Sequence, residues 1–249
     1  MSEELVKGLS VVTLSYKRPD LFAQLADNLP QGDDIIVERI VVNNGGDEGT
    51  NRAADRRGWT VLEPGCNLSF SEGCNYGVAE SVSTHVLIVS NDAVVTPEAV
   101  RTLWLHRSRP LIAPMILNSD GTVNFAGGAI QSPSWAPVHI DRGKNPDTLD
   151  QRPRFCPWLT GACIMVARDL WDDLGGMSEA FPRYVGHQDT DFSLRALERG
   201  IMPMVVMEAR ITHDEFGSRS PNDEGEGGKV FSERWYTNQR LQRALGVYE

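Results

Sequence analysis

A strand that runs directly into a carboxylate constrains this chain more than any other feature: residues 86–92 read Val-Leu-Ile-Val-Ser-Asn-Asp. The continuous β-branched and leucine residues are typical of a strand that is covered on both faces, as in a parallel sheet. Ser90 and Asn91 end the strand and leave Asp92 just beyond its carboxyl end. Because ligands bind at that edge of open α/β sheets, Asp92 is the first candidate for contact with a metal ion or a phosphate.

The composition indicates a globular protein with one main core. The chain has 249 residues, of which 41% are hydrophobic and 23% charged, enough for one large domain or one domain with a small lobe. Its net charge of -10 argues against broad electrostatic attraction to nucleic acid or to an anionic membrane. No apolar run approaches the ~20 residues of a membrane span, and the acidic start at Met1 shows no signal peptide.

The cysteines indicate a reducing compartment. There are four of them, and none forms a Cys-x-x-Cys pair. A chain of this length does not need disulfides to be stable, and the wide spacings do not favour a zinc site. We therefore expect reduced thiols and a cytoplasmic location.

The first hundred or so residues alternate between strand and helix patterns. This alternation predicts a parallel sheet with helices on both faces. Pro30 is expected to end the first helix, and residues 67–77 are expected to be a loop that leads into a helix through Val78 and Ala79. The remaining predictions are strands at 9–14, 35–42, 59–62 and 86–89, and helices at 18–29 and 96–109.

Three of these strands end in polar or glycine residues. The ends are at Ser15, at 43–46 (Asn-Asn-Gly-Gly) and at 90–92 (Ser-Asn-Asp). If the strands are parallel, their ends share one edge of the sheet. The loops there suit a nucleotide, whose base, ribose and phosphates would be spread across the strand ends.

The second half has a different pattern. Strands are predicted at 111–117, 162–166 and 204–211, with a hairpin return at 122–125 and an irregular, functional or mobile loop at 131–157. We expect one domain over residues 1–217, with a nucleotide-binding half at about 1–110 and an acceptor or catalytic half at about 111–217. A flexible loop and a C-terminal helix follow at 218–249. The predicted helices are 168–174, one that starts with Asp189 as its N-cap, and about 230–245.

Seven motifs, in this order, resemble those of family 2 glycosyltransferases with the GT-A fold, especially the rhamnosyltransferase-like branch. The resemblance covers nearly residues 9–217. The motifs are the first strand and turn at 11–19, Val-Asn-Asn-Gly at 42–45, the Asn-rich and Gly-rich loop at 67–77, Ser-Asn-Asp at 90–92, Trp-Leu-Thr-Gly-Ala at 158–162, Gln-Asp-Thr-Asp-Phe at 188–192, and His213 after the last strand.

The resemblance implies a GT-A, Rossmann-like α/β fold: a mostly parallel central sheet with helices on both faces and a small antiparallel region on the acceptor side. It implies that Asp92 binds Mn²⁺ or Mg²⁺ at the donor diphosphate, with His213 as a further ligand or phosphate contact. It also implies that Asp189 is the general base. The residues that it places at the donor are Thr13, Ser15, Asn43, Asn67, Asn75, Asn91, Thr160 and Gly161.

The implied reaction is a metal-dependent, inverting sugar transfer. The donor would be a UDP-, dTDP- or GDP-linked sugar. The acceptor would supply a hydroxyl group from a glycan, a lipid-linked sugar, a protein or a modified nucleic-acid base. A metal neutralises the charge that develops on the leaving diphosphate, and a carboxylate takes the proton of the attacking hydroxyl.

Two departures from the family pattern leave alternatives open. Asn43 and Gln188 stand where the family usually has acids, which is consistent with a nucleotide-sugar-binding protein that has lost catalysis. A nucleotidyltransferase is a third hypothesis. Such an enzyme would normally carry a Gly-rich loop with a basic residue after the first strand, and the turn at 15–19 lacks the glycines.

Each candidate residue also has a purely structural interpretation. Asp92 would be a turn aspartate and Asp189 an N-cap, but the ordered motifs favour the functional roles. For Asp191 we favour the structural role, a cap or an ion pair with Arg195. Trp135, Trp158 and Tyr184 could stack on a sugar, although aromatic residues more often pack in cores. The segment 214–228 is either a solvated linker or a lid over the donor.

Overall fold

The computed structural model describes residues 5–29, 34–131, 134–181, 186–213, 224–236 and 238. In the first half, strands and helices alternate as the sequence predicts, and residues 48–55 form a further helix that was not predicted. The expected stop at Pro30 lies outside the described residues. The elements are β1 Val6–Ser15, α1 Pro19–Asn28, β2 Ile36–Asn43, α2 Glu48–Asp55, β3 Thr60–Leu62, α3 Phe70–Ala79, β4 Ser83–Val89 and α4 Pro97–Leu105.

Helix α3 begins earlier than the sequence predicted, because most of the expected loop at 67–77 is helical. Ser69 forms a capping box with Glu72: its Oγ accepts the Glu72 N–H at 3.2 Å, and the Glu72 carboxylate accepts the Ser69 N–H at 2.7 Å. A Cβ on Gly77 would lie 2.5 Å from Val12 Cγ1. The glycines that made this stretch look like a loop instead let the helix lie directly on β1.

The second half also contains more regular structure than predicted. The expected irregular loop at 131–157 holds most of an antiparallel hairpin, a short 3₁₀ turn and an edge strand. The tail helix starts before the predicted residue 230, and most of the predicted linker at 214–228 lies outside the described residues. The elements are β5 Leu111–Leu117, β6 Val123–Phe125, β7 Gly128–Gln131, β8 Ala136–His139, β9 Arg154–Phe155, β10 Cys163–Ala167, α5 Arg168–Leu174, α6 Gln188–Glu198, β11 Met204–Thr212 and α7 Glu224–Trp235.

One nine-stranded sheet spans both predicted halves, in the order β3-β2-β1-β4-β10-β5-β11-β9, with β6 paired to β5. Strands β1 to β4 run parallel to one another, as predicted, and β5 is parallel to β11. Strand β10 is inserted antiparallel between β4 and β5. The β7–β8 hairpin forms the small antiparallel region that the resemblance implied. The predicted fold class is therefore confirmed.

Helices cover both faces of the parallel part of the sheet. Leu14 and Val42 face the glycines of α3, whereas the next residues, Ser15 and Asn43, bond to α2. Because successive side chains of a strand point to opposite faces, α2 and α3 lie on opposite sides. In the part of the chain that the structure describes, no helix is long and apolar enough to cross a membrane.

A second apolar cluster attaches α7 to α6. Its member Trp235 contacts the buried carboxylate of Asp191, which accepts the Arg195 Nε–H at 2.9 Å, an Arg234 N–H at 2.9 Å and the Trp235 Nε1–H at 3.1 Å. The predicted pairing of Asp191 with Arg195 is thus present. Of the aromatic candidates for sugar stacking, Trp135 and Trp158 are buried, and Tyr184 is outside the described residues. The cluster comprises Trp135, Phe181, Leu194, Leu197, Phe231 and Trp235.

Candidate functional site

The three polar strand ends converge, as the sequence predicted. Ser15 at the end of β1 is paired with Asn43 at the end of β2. On the other side of β1, Val12 is paired with Ile88, which places the turn after β4 at the same edge. Strand β3 is paired in parallel with β2 on the side away from β1. The carboxyl ends of β3, β2, β1 and β4 therefore form one continuous rim, which we call the strand-end rim.

Asp92 and His213 meet on this rim although they are far apart in the sequence. An isolated bridge between Val94 and Thr212 joins the end of β11 to the turn after β4. His213 Nε2 lies 3.0 Å from Asp92 Oδ1, and both side chains are mostly buried. The hydroxyl of Ser90 donates to the same oxygen at 2.5 Å.

These contacts set the charge state of Asp92. Burial alone would raise the pKa of its carboxyl group. The hydrogen bond and charge attraction from His213, together with the Ser90 hydrogen bond, outweigh that effect, so the pKa lies below its usual value. Asp92 is therefore an anion at neutral pH, as a metal ligand must be.

Asp189 lies on the same rim but is not the helix N-cap that we predicted. The N-cap of α6 is His187, with a left-handed φ of 82°, and Asp189 belongs to the first turn, after the buried Gln188. Its Oδ2 accepts the Gly161 N–H at 2.7 Å, and its Oδ1 accepts the Thr190 N–H at 2.7 Å. These two bonds fix the orientation of the carboxylate.

A short chain of hydrogen bonds connects the two carboxylates. The Ser90 N–H, two residues before Asp92, donates to the Ala162 carbonyl at 2.9 Å. The preceding residue, Gly161, donates to Asp189. Both acids thus lie beside the turn at 160–162 that precedes β10.

Four of the predicted donor residues line or support this region in different ways. Asn91 is partly exposed in the turn before Asp92, and Thr160 is partly exposed beside Gly161. A Cβ on Gly161 would lie 3.0 Å from the Phe70 ring and 3.4 Å from Asp189 Cβ, so the backbone approaches closely here. Asn67 accepts a hydrogen bond from Asn44 at 2.9 Å, which ties its loop to the end of β2.

The side chains of the other four predicted donor residues are buried in the protein or bonded within it, and in the described residues the buried Thr13 hydroxyl has no hydrogen-bond partner. Thr13 and Ser15 are fully buried, and Ser15 Oγ lies 3.2 Å from Thr50 Oγ1 of α2. The Asn43 amide donates to the Asp47 carbonyl at 2.9 Å and to Asn51 Oδ1 at 2.7 Å. Their role at the donor stays a prediction.

Asn75, the fourth, connects distant segments. Its amide donates to the Met177 carbonyl at 2.9 Å and to Glu179 at 2.8 Å, and its oxygen accepts the Met177 N–H at 2.8 Å. This reciprocal pairing holds α3 against the segment that follows α5. The visible contacts of Asn75 are therefore structural, and a donor contact through its side chain stays a prediction.

Three further residues on the rim were not predicted from the sequence. Asn44 joins the end of β2 to the loop before α3 through bonds to Leu68. Arg18 lies close enough to Asp92 for their opposite charges to attract. Glu63 follows β3 much as Asp92 follows β4, so the signal used for Asp92, a carboxylate just after a strand, would also have found Glu63.

The residues present suit a divalent cation that is completed by a ligand. In the described ranges, no group of three or more His, Cys, Asp or Glu side chains is placed to hold a metal. Asp92 and His213 together offer a carboxylate and an imidazole, which suit Mn²⁺ and, through the oxygen, Mg²⁺. Two protein ligands leave most coordination positions to phosphate oxygens and water, as expected where the metal binds together with its substrate.

The known proteins that this chain resembles in sequence include glycosyltransferases. No protein-family model matches the chain. It is 24% identical over 233 residues to the N-acetylglucosaminyl-diphospho-decaprenol L-rhamnosyltransferase of Mycobacterium tuberculosis, a match that covers 82% of this chain and 75% of the relative. It is 22% identical to the low-salt glycan biosynthesis hexosyltransferase Agl10 of Haloferax volcanii, over 81% of this chain and 65% of the relative.

Among solved structures, the chain is similar to GalNAc-T7 in complex with UDP, GalNAc and Mn²⁺. The TM-score is 0.71 at 13% identity, and the match covers 96% of this chain and 49% of the other. The chain thus spans about half the length of that protein, and at this identity the similarity shows the fold alone. Together with the two relatives, it confirms the predicted GT-A fold and the predicted resemblance to glycosyltransferases.

Proposed function

Because the chain is a homologue of rhamnosyl- and hexosyltransferases with the GT-A fold, we propose that it catalyses a metal-dependent, inverting sugar transfer. The donor is a UDP-, dTDP- or GDP-linked sugar. The acceptor contributes a hydroxyl group of a glycan, a lipid-linked sugar, a protein or a modified nucleic-acid base. Asp92 binds the metal at the diphosphate, His213 is a further metal ligand or a phosphate contact, and Asp189 is the general base.

One observation carries the proposal: two carboxylates in different environments share one rim. Asp92 faces an imidazole, which suits a metal–diphosphate site. Asp189 is oriented by the backbone N–H groups of Gly161 and Thr190, which leave a carboxylate that can still accept a proton. The hydrogen bonds through Ser90 and Ala162 support their placement on either side of one reacting sugar.

On the donor side, negative charge develops on the diphosphate as it leaves and must be stabilised. A bound divalent cation would neutralise the diphosphate that leaves. Asp92 would hold that cation through an oxygen, and His213 would either be a second ligand or donate to a phosphate oxygen. Arg18, whose guanidinium is paired with Asp20, also lies near enough to Asp92 for a weak charge attraction and adds a positive charge on this side of the site.

On the acceptor side, Asp189 removes the hydroxyl proton as the acceptor oxygen attacks the anomeric carbon. The new bond from that carbon to the acceptor oxygen forms on the face opposite the bond to the diphosphate, which breaks, so the configuration inverts. A positioned general base typically contributes ~10² to 10⁴-fold in rate.

Calorimetry tests the donor half of this proposal. Nucleotide sugars are titrated into the protein with and without Mn²⁺, and at least one donor should bind in a metal-dependent way. Asp92→Asn should weaken binding and its metal dependence, whereas the exposed carboxylate change Asp55→Asn in α2 should do neither. Absence of any metal-dependent donor binding would overturn the proposal.

Turnover tests the catalytic half. Release of nucleoside diphosphate, with acceptor or by slow hydrolysis of the donor, should fall ~10² to 10⁴-fold in Asp189→Asn, while donor binding is retained. Glu198→Gln at the far end of α6 is the matched control and should retain wild-type turnover. If the wild type binds a donor but never releases diphosphate, and Asp189→Asn changes nothing, the chain is instead a non-catalytic nucleotide-sugar-binding protein.

A further inference from the structure

We propose that the carboxylate of Glu63 recognises the base of the donor nucleotide. It would select bases that carry an N–H group in the middle of their Watson–Crick edge, namely uracil, thymine and guanine, over adenine and cytosine. This inference rests on the proposed function, because it assigns the far end of the same donor. It begins from the position of Glu63 on the strand-end rim.

Glu63 lies at the distance from Asp92 that a nucleotide would span. It follows Leu62, which is paired with Val42 at the end of β2, so it stands beside Asn43 on the rim. The order β3-β2-β1-β4 separates Glu63 from Asp92 by three strand spacings, or about 14 Å at ~4.8 Å each. A nucleoside diphosphate held by its phosphates at Asp92 and extended along the rim would place its base near Glu63.

The Glu63 carboxylate is held in place and yet exposed. Its Oε1 accepts the Asn51 amide at 2.8 Å and the Asn43 amide at 3.4 Å. Asn43 is itself buried and is bonded to Asn51 at 2.7 Å, so the two amides form a rigid support behind the carboxylate. Such a group can meet a ligand without first losing side-chain freedom.

The neighbouring carboxylate on this part of the rim is already occupied. Asp47 is the N-cap of α2 and accepts both the N–H and the hydroxyl of Thr50, at 2.8 and 2.9 Å. Of these two acids, Glu63 is the one whose exposed side chain remains available to a ligand. We therefore assign base recognition to Glu63 rather than to Asp47.

The chemistry of a carboxylate determines which bases fit. An ionised carboxylate only accepts hydrogen bonds. Uracil and thymine offer the N3–H, and guanine offers the N1–H together with its exocyclic amine. Adenine and cytosine present an unprotonated ring nitrogen at that position, and its lone pair would oppose the carboxylate. This discrimination comes from an unfavourable contact as much as from a favourable one.

The test is calorimetric binding of UDP, dTDP, GDP, ADP and CDP in the presence of Mn²⁺. We expect at least one of the first three to bind ~10-fold or more tightly than ADP and CDP, the effect of one hydrogen bond to a charged group. Methylation of the best ligand at the N–H, at N3 of uracil or thymine or at N1 of guanine, should cost a similar factor in the wild type.

Glu63→Ala should bring the methylated and unmethylated ligands to equal affinity and narrow the preference over ADP and CDP. Glu48→Gln in the first turn of α2, an exposed acid paired with Arg52, is the control and should keep the wild-type pattern. Equal binding of all five nucleotides, or a methylation penalty that persists in Glu63→Ala, would overturn the inference and leave the proposed function standing. If none of the five binds, both fall together.

Discussion

The two parts of the strand-end rim are built from contacts of very different range. At the ends of β2 and β3, polar side chains bond to residues at most 24 positions away, such as Asn43 to Asp47 and Asn44 to Leu68. On the catalytic part, each carboxylate has a remote partner in addition to local ones. Asp92 meets His213, and Asp189 accepts the Gly161 N–H across 28 positions. Asp191, in the same helix as Asp189, meets Trp235 across 44 positions.

The nucleotide part of the rim can therefore form from local contacts, whereas the catalytic part requires the whole sheet. The nucleotide-side turns are held by their own neighbours, so they need only β1 to β3 and the helices between them. The contact of Asp92 with its imidazole requires β11 in the sheet, and the buried Asp191 of α6 has its full set of partners only with α7 in place. We therefore expect damage on the catalytic part to spread further than damage on the nucleotide part.

The largest effect should come from the buried Asp191. Asp191→Asn leaves Arg195 and Arg234 without their shared counter-ion, and removing one partner of a buried ion pair typically costs 3–5 kcal/mol. Because Arg234 is partly exposed, we expect a loss of about 3 kcal/mol in the free energy of unfolding, measured by urea denaturation. Turnover should also fall, because α6 carries Asp189.

Asp47→Ala is the matched change on the nucleotide side. It removes an N-cap that is bonded only within its own turn, so it should cost about 1 kcal/mol. The comparison would fail if Asp47→Ala destabilised the protein more than Asp191→Asn did.

The same distinction explains what could be predicted from the sequence. The strand at 86–89 and the polar residues after β1, β2 and β4 were identified because pattern and partner lie within one βα unit. The reversed direction of β10 was not predicted, since a strand buried on both faces reads alike in either direction. Nor was the role of His187 as the N-cap of α6, which has no side-chain capping bond to mark it.

The prediction of a loop at 67–77, where most of α3 forms, was wrong for a different reason. Its glycines and Asn75 favour turns by local propensity, and tertiary packing reversed that preference. The carboxylate at 92 was identified from the strand that precedes it, and the role of the carboxylate at 189 came from the resemblance. Their hydrogen-bond link through 160–162 depends on β10, so no local pattern could have revealed it.

A loss of stability of intermediate size should show that α3 packs more closely on the sheet than α7 packs on its neighbours. Gly77→Ala would place a methyl group 2.5 Å from Val12 Cγ1 and 3.2 Å from Val42 Cγ2. Overpacking of this kind costs typically 1–3 kcal/mol, so we expect thermal and urea unfolding to show a loss of about 2 kcal/mol.

Gly228→Ala in α7 is the control for this change. The new methyl group would have no neighbour within 4 Å, and alanine favours a helix over glycine by roughly 0.5–1 kcal/mol. We therefore expect a small gain in stability. If Gly77→Ala and Gly228→Ala changed the free energy of unfolding in the same direction, close packing of α3 on the sheet would not explain the effect of Gly77→Ala.

The smallest effect is a change in titration that reports the remote contact directly. The pKa of Asp92 is below its usual value although burial alone would raise it, because the His213 and Ser90 contacts outweigh burial. The stability that Asp92 contributes is therefore present above the usual carboxyl pKa and is lost as the pH falls through the lower, folded value. His213→Gln removes the charge attraction that opposes the effect of burial, so the pKa of Asp92 should rise. NMR of the Asp92 carboxyl carbon follows this change.

Asp20 is the internal reference in the same spectra. Its pKa is held at about 2, mainly by a hydrogen bond from Arg18, which is only two residues away. This local contact should survive His213→Gln, so the titration of Asp20 should not move. A shift of both carboxyls would mean that the change at His213 disturbs the nucleotide side as well, and the two parts of the rim would then not be independent.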